Sequence, residues 1–276
     1  MISAEAAIQV RNVSHQFGEE GETRHVQALM DTSLDVPHGE LLCLIGPSGC
    51  GKSTLLNIMG GLFEPTTGTV TVGDKPVRGP MPHDIAFIFQ ENSLFPWNTI
   101  YENVMLGMMF QGVPKSERED RARRALEAVG LDEFAAHYPS QLSGGMRQRA
   151  ALARALSLET QILLMDEPFG ALDEQTRMVL GEDLSILLAK TGKTIVFVTH
   201  SLAEAVFLSD RIAVMTARPG RIKTIIEVEE RHPRSPDFML EPRFSVLRNE
   251  LYALLRDEIR RAVAEQSDTP SAPPEA

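Results

Sequence analysis

The chain has little from which to build a covalent or membrane-spanning scaffold. Among its 276 residues are two cysteines, Cys43 and Cys50, one tryptophan and three tyrosines. Two thiols are too few for a disulfide framework or a cysteine-based zinc site. No run of 18 apolar residues occurs, which excludes a hydrophobic membrane-spanning helix. The first residues, MISAEAAIQV, lack a basic stretch followed by an apolar one, so no secretory leader is expected. Positive charge is also scarce. Lysine and arginine number 27 against 38 aspartate and glutamate, a net charge of −11. A general nucleic-acid binder needs a basic face, so no nucleic-acid partner is expected. No repeat of fixed period is visible. What remains is an acidic chain, expected to be soluble and intracellular, and long enough to bury a large core without disulfides.

The patterning that is present alternates. Residues 8–13 and 26–36 read as strands separated by a polar stretch at 18–22. The run ELLCLI at 40–45 is short, apolar and closed by Gly46, the mark of a buried strand. Residues 52–62 read as a helix, and 69–72 and 85–89 as strands. From 91 to about 157 the character becomes helical. Ser116 and Glu119 form a capping-box pattern, helical spacing follows at Ala122, Ala125, Leu126 and Val129, and Gly130 is suited to end the helix. Strands at 162–165, 194–199 and 212–215 then alternate with helices near 175–190 and after Ser201. Such alternation implies an α/β fold with a mostly parallel sheet, into which the helical block is inserted. Beyond 222 comes an extension. Phe244, Leu247, Leu251, Leu254, Leu255, Ile259 and Val263 recur at steps of three and four, an amphipathic helix within 223–265. Its charges are balanced, which suits a solvated face better than a membrane anchor. Residues 266–276 are rich in proline and small polar residues and are expected to be a disordered tail.

The chemistry begins at Gly46-Pro47-Ser48-Gly49-Cys50-Gly51-Lys52-Ser53, which fits G-x-x-x-x-G-K-[ST]. Glycines let the backbone curl so that successive N–H groups point inward, and the next helix offers its positive end to phosphate. Lys52 adds a point charge, and the Ser53 hydroxyl is a Mg²⁺ ligand. Cys50 lies inside this loop, where N–H donors and Lys52 would lower a thiol's pKa. Alternatively it is a small residue packed beneath the loop. The strand 162–166 ends in Asp166-Glu167, where α/β sheets place ligands. Asp166 is set to hold Mg²⁺, and Glu167 to orient or deprotonate an attacking water. The strand 194–199 ends at His200, which would contact the γ-phosphate or that water, and Ser201 with Glu204 forms a second capping-box pattern. Gln90 ends the strand at 85–89. Its amide could reach the metal or the water, though a lone glutamine is a weak signal.

Leu142-Ser143-Gly144-Gly145-Met146-Arg147-Gln148-Arg149 resembles the signature of ABC-transporter ATPases, and it lies on the helical insertion upstream of Asp166. Six motifs follow in the family's order over residues 6–222: the phosphate loop, Gln90, the signature, Asp166–Glu167, Ala171-Leu172-Asp173, and His200. The resemblance implies a P-loop NTPase core with an antiparallel β subdomain and an inserted α-helical subdomain. It implies ATP and Mg²⁺ as cofactors. ATP contacts would come from Phe17, stacking on adenine, and from Gly46, Pro47, Ser48, Gly49, Cys50, Gly51, Lys52, Ser53 and Thr54. Ser53, Gln90 and Asp166 would serve the metal, and Glu167, His200 and Gln90 the catalysis. Ser143, Gly144 and Gly145 would bind the nucleotide of a second subunit, so the family pattern is a homodimer or close heterodimer. Phe17 read by itself could equally be a strand core residue.

Within the family the chain is similar to ATPase subunits of bacterial importers for nitrate, sulfonates and taurine. Four stretches carry this: Gln90-Glu91-Asn92-Ser93-Leu94-Phe95-Pro96-Trp97, Met146 in the signature, Glu204-Ala205-Val206-Phe207-Leu208-Ser209-Asp210-Arg211, and Arg218-Pro219-Gly220-Arg221. The resemblance implies a peripheral subunit on the cytoplasmic face of the inner membrane. Its partners would be permease subunits and a solute-binding protein. The Phe95-Pro96-Trp97 corner would dock the permease, or else pack internally. Ser201 departs from the aspartate that often follows the histidine, but a serine still caps a helix. The extension is too short for the regulatory β-domain of the sugar-importer branch. A lipid- or export-type ABC ATPase would share every catalytic motif. A translation-type ABC protein needs two phosphate loops in one chain, and a repair type needs a long heptad insertion; neither is present.

Overall fold

The computed structural model describes residues 6–18, 25–91, 93–170, 172 and 174–267. In chain order the elements are β1 (Ala6–Phe17), β2 (Val26–Pro37), β3 (Leu41–Ile45), α1 (Lys52–Met59), β4 (Thr67–Val72), β5 (Lys75–Pro76) and β6 (Ile85–Ile88). Three helices come next, α2 (Ile100–Phe110), α3 (Lys115–Ala128) and α4 (Gly144–Leu156). The chain then returns to alternation with β7 (Ile162–Asp166), α5 (Glu174–Thr191), β8 (Thr194–Val198), α6 (Leu202–Leu208), β9 (Arg211–Met215), β10 (Ile222–Glu227) and α7 (Pro242–Ser267).

Two sheets result. A four-stranded antiparallel sheet has the order β2-β1-β4-β5, and a six-stranded sheet the order β10-β9-β3-β8-β7-β6. In the second, β9, β3, β8, β7 and β6 run parallel, and β10 closes the edge antiparallel to β9. All five residues of β3 are buried because both faces of this sheet are covered. Leu41, Cys43 and Ile45 face a core shared with α6 and α7, whereas Leu42 and Leu44 face one shared with α1 and β1. A third, separate core of Val104, Met108, Leu126, Ala150 and their neighbours holds α2, α3 and α4 together. The antiparallel sheet, the parallel sheet and the helical block agree with the α/β class expected.

Several local expectations are corrected. The helix after the phosphate loop stops at Met59 rather than 62, where Gly60 and a left-handed Gly61 (φ +71°) come next. Ser116 caps nothing: Pro114 already has extended backbone, α3 starts at Lys115, and Ser116 falls inside the first turn. The real capping box is Thr99 with Glu102, at the start of α2. Strand β10 spans the expected boundary at 222 and pairs with the main sheet. Helix α7 reaches Ser267, into the segment expected to be a disordered tail; residues 268–276 of that tail, like Ala171 and Asp173, lie outside the described residues. Phe244, Leu251 and Leu255 of α7 are buried, but Ile259 and Val263 are exposed, because at this end of the helix the inward face is taken by Glu258.

The extension is fastened by polar groups as well as by apolar ones. Arg234, 3% exposed, donates to the carbonyls of Val206 and Phe207 at the end of α6 (2.9 Å each) and to Glu230 O. Glu258 of α7, also buried, accepts from Ala217 N–H (3.0 Å) and from Lys223 Nζ (2.8 Å).

Candidate nucleotide site

The 46–53 loop joins β3 to α1. Gly51 is the N-cap of α1, at φ +100°, and no side chain caps the helix. A Cβ at Gly51 would lie 2.9 Å from Ala28 O, so the position admits no other residue without displacing β2. Lys52 is buried, and its ammonium donates to Gly46 O and Pro47 O, both at 2.9 Å. The amine is therefore held over the loop instead of sweeping solvent.

Ser53 Oγ donates to Asp166 Oδ1 at 2.9 Å. Burial pushes the Asp166 carboxyl above its ordinary value; the Ser53 bond and Lys52 pull it back, and Glu167 adds to the rise. A hydroxyl and a carboxylate already in contact are hard oxygen donors of the kind a small divalent cation takes, alongside water and phosphate oxygens. Glu167 has φ +46°, unusual for a residue with a side chain, and its N–H donates to Val198 O at 3.0 Å. Its carboxylate is gripped on both sides. Oε2 accepts from Gln90 Nε2 (3.3 Å), and Oε1 lies 3.1 Å from His200 Nδ1. Four parallel strands thus deliver the phosphate loop, Gln90, Glu167 and His200 to one edge.

These residues line an open cleft of about 690 Å³, together with Phe17, Val26, Ala28, Thr54 and Arg218. Phe17 is 41% exposed and meets His15 and Phe63 edge-on, with centroids 4.6 and 5.9 Å apart. It is a wall of the cleft, not a core residue. Arg218 belongs to this lining, although its sequence context assigns it no site role.

Other expectations change. Cys50 is 1% exposed, and burial raises its thiol pKa; Lys52, whose Nζ is 4.0 Å from Sγ, pulls the other way without prevailing. It is the packed residue beneath the loop. Ser201 accepts from Glu204 N–H (3.3 Å), but the Glu204 carboxylate turns to Thr199 Oγ1 and to Arg177, so only half the capping box forms. Ser143, Gly144 and Gly145 are not part of the cleft lining. Ser143 is the N-cap of α4, its hydroxyl accepting from Met146 N–H at 3.3 Å. The Phe95–Trp97 corner does not pack internally: Trp97 is 71% exposed and its ring lies 5.4 Å from that of Phe95.

A phosphate loop opening a helix at the edge of a parallel sheet, with a carboxylate pair on a neighbouring strand and an inserted helical block, defines an ATP-binding cassette. The profile of the ABC transporter family matches residues 29–170, and the chain belongs to that family. It is 44% identical over 256 residues to an uncharacterised ABC transporter ATP-binding protein of Methanocaldococcus jannaschii, covering 93% of this chain and 94% of the relative. It is 43% identical over 246 residues to the taurine import ATP-binding protein TauB of Rhizobium johnstonii (87% and 94% covered). It is 41% identical over 242 residues to the nitrate import ATP-binding protein NrtD of Synechocystis (86% and 91%). Among solved structures, a dimeric ATP-binding cassette in a post-hydrolysis state with ADP and Pi superimposes with a TM-score of 0.72 at 33% identity, over 81% of this chain and 100% of that one.

Proposed function

We propose that this chain is the ATP-hydrolysing subunit of an importer for a small anion of the nitrate, sulfonate or taurine kind. The observation that carries the proposal is the Glu167 carboxylate, held between Gln90 and His200 at the rim of a cleft that also contains the phosphate loop. Such a carboxylate takes a proton from water attacking the γ-phosphate in line. His200 and Gln90 fix its orientation. The N–H groups of the 46–53 loop, the start of α1 and Lys52 balance the charge that builds on the phosphate oxygens. Ser53 and Asp166 would hold Mg²⁺, which when bound neutralises phosphate charge. Phe17 offers a ring face to adenine. Ser143 and the glycines after it serve the nucleotide of a second subunit, which makes the working unit a dimer.

No helix among the described residues is long and apolar enough to cross a membrane, so the subunit would reach its permease by docking. The exposed Phe95–Trp97 pair is the proposed anchor, since large aromatics carry much of an interface's energy. Affinity purification from solubilised membranes, with mass spectrometry of the co-purifying proteins, tests the assignment. A permease and an anion-binding receptor are the expected companions. Replacing Phe95 and Trp97 with alanine should remove the permease and leave the melting temperature of the free subunit within about 2 °C, because Trp97 buries little. Recovery of ribosomes or DNA-repair proteins instead would overturn the importer reading.

A further inference from the structure

Residues 216–221 leave β9 beside the phosphate loop and are clamped from both sides. On the inner side Gly220 lies against that loop: a Cβ there would sit 2.0 Å from Cys50 O. Its N–H donates to Ala28 O (2.8 Å), and its carbonyl accepts from Met30 N–H (3.0 Å) and Thr32 Oγ1 (3.2 Å). The turn is closed by Arg221 N–H donating to Thr216 Oγ1 at 3.1 Å and by Thr216 Oγ1 donating to Pro219 O at 3.2 Å. On the outer side Ala217 N–H donates to Glu258 of α7. Between the two clamps Arg218 projects into the cleft, its Nη2 3.6 Å from where a Cβ on Gly49 would stand.

The sheet order decides which part of a nucleotide this cation meets. Asp166 ends β7, and Glu167 and His200 come just after β7 and β8, on one side of β3, whereas Arg218 comes after β9, on the other. Phe17, Val26 and Ala28 line the same cleft, and Ala28 is hydrogen-bonded to Gly220 of the turn that carries Arg218. A nucleotide whose γ-phosphate faces Glu167 therefore turns its inner phosphates and ribose toward Arg218. In a chain of net charge −11, attraction for a polyanion has to be local, and a guanidinium is suited to paired phosphate oxygens.

We infer that Arg218 binds the inner phosphates shared by ATP and ADP, and that Glu258 on α7 is a positioning residue that holds its turn against the phosphate loop. The C-terminal helix is thereby part of the nucleotide site. This inference rests on the reading of the cleft as an ATP site.

The test is titration of the full chain with MgATP and with MgADP. Arg218→Ala should weaken both by the same factor, about tenfold, the scale of one charge-assisted bond at a half-open site. Arg218→Lys should recover part of the loss. Glu258→Ala should weaken both severalfold, and the Arg218→Ala/Glu258→Ala double variant should bind no worse than Arg218→Ala alone. An effect of Glu258 on binding that does not run through Arg218 would make the two losses additive, and a role in stability only would leave the affinity of the folded chain unchanged. If Glu258→Ala does not fold, Glu258→Leu, which keeps the bulk of the side chain but offers Ala217 no acceptor, takes its place in the cycle. Unchanged ADP affinity in Arg218→Ala, or a loss confined to ATP, overturns the assignment of Arg218. Additive losses overturn that of Glu258. A wild-type chain that binds neither nucleotide fails at an earlier step and removes the ATP reading itself.

Discussion

Two helices of this chain begin in ways suited to phosphate, and only one of them is surrounded by a site. Helix α1 starts at a left-handed glycine with no side-chain cap, so its first N–H groups are left for a ligand. Around it stand Lys52, Asp166, Glu167, His200 and Gln90. Helix α4 starts at Ser143, whose hydroxyl already serves Met146 N–H, and the nearby Arg147 donates to Leu142 O at 2.6 Å. No member of the Ser143-Gly144-Gly145 run lines the cleft. The comparison teaches that a helix dipole is an ingredient of a site rather than a site. Among the described residues, the start of α4 has donors but no base and no carboxylate–hydroxyl pair beside it, and on the function proposed above a cleft on another copy would complete it.

The largest effect tests the completeness of the first helix end. Glu167→Gln keeps the shape of the side chain but cannot accept a proton. Turnover should fall by about 10²–10⁴ while ATP still binds and holds a dimer; phosphate release and size-exclusion chromatography with MgATP read the two. Hydrolysis near the wild-type rate would break the comparison at its stronger side.

Next comes the division of labour. Lys52→Ala should weaken nucleotide binding by the isolated subunit tenfold or more, on the scale of a lost charged contact. Ser143→Ala should leave that binding within about twofold yet slow hydrolysis if, as proposed above, the serine acts across the dimer. Mixing the two variants should restore part of the activity, because one interface of the mixed dimer keeps an intact α1 end facing an intact α4 end. Verified heterodimers that stay silent would contradict completion in trans.

The helix starts also differ in what they tolerate. Ser143→Ala should cost about 1 kcal/mol of stability and Ser143→Gly only a few tenths, as for other N-caps. Gly51→Ala should cost more than either, because alanine would meet Ala28 O and Leu29 at a positive φ. Urea denaturation ranks the three.

The smallest effect concerns Asp166. Burial raises its folded-state pKa, so the protonated form is the one favoured by folding. The associated stability is full below the ordinary aspartate range and is lost as pH rises through the elevated value. Asp166→Asn should therefore melt slightly higher than the wild type at pH 7–8, on the order of 2 °C, with the gap closing toward acid pH. The same variant should lose the extra stabilisation that MgATP gives the wild type. A variant that melts lower at neutral pH would mean that the Ser53 bond outweighs the cost of burial.

The α1 end was legible in the sequence because phosphate binding forces contiguous residues into one loop, and because the carboxylate pair closes an apolar strand. The α4 end was legible only through resemblance: a serine before two glycines has no chemistry of its own until another cleft supplies it. Phe17 and the Phe95–Trp97 corner were ambiguous between core and surface, and exposure decided both. Cys50 was open between an acidified thiol and a packed residue, and burial decided for the second; proximity to Lys52 is visible in a sequence and burial beneath a loop is not. Ser116 illustrates a competing local rule, since Pro114 set the start of α3 two residues too early for the serine to cap it. Arg218 stood out only within the resemblance stretch at 218–221, and Glu258 left no local signal; the turn carrying Arg218 reaches the phosphate loop only after β9 is laid beside β3, and Glu258 reaches that turn only once α7 folds back across it.

The anchoring of α6 by Arg234 has a consequence for biosynthesis. Every residue of the catalytic cluster, His200 included, leaves the ribosome before the guanidinium that satisfies the last carbonyls of the helix after His200. A nascent or truncated chain ending near residue 230 would carry all the motifs, yet the C-terminal turn of α6 would fray. The histidine would then be tethered to a helix that opens and closes. Amide exchange across 202–209 should be fast in such a chain and slow in the complete one. Maturation of this cassette would be set by the emergence of a residue that never touches its nucleotide.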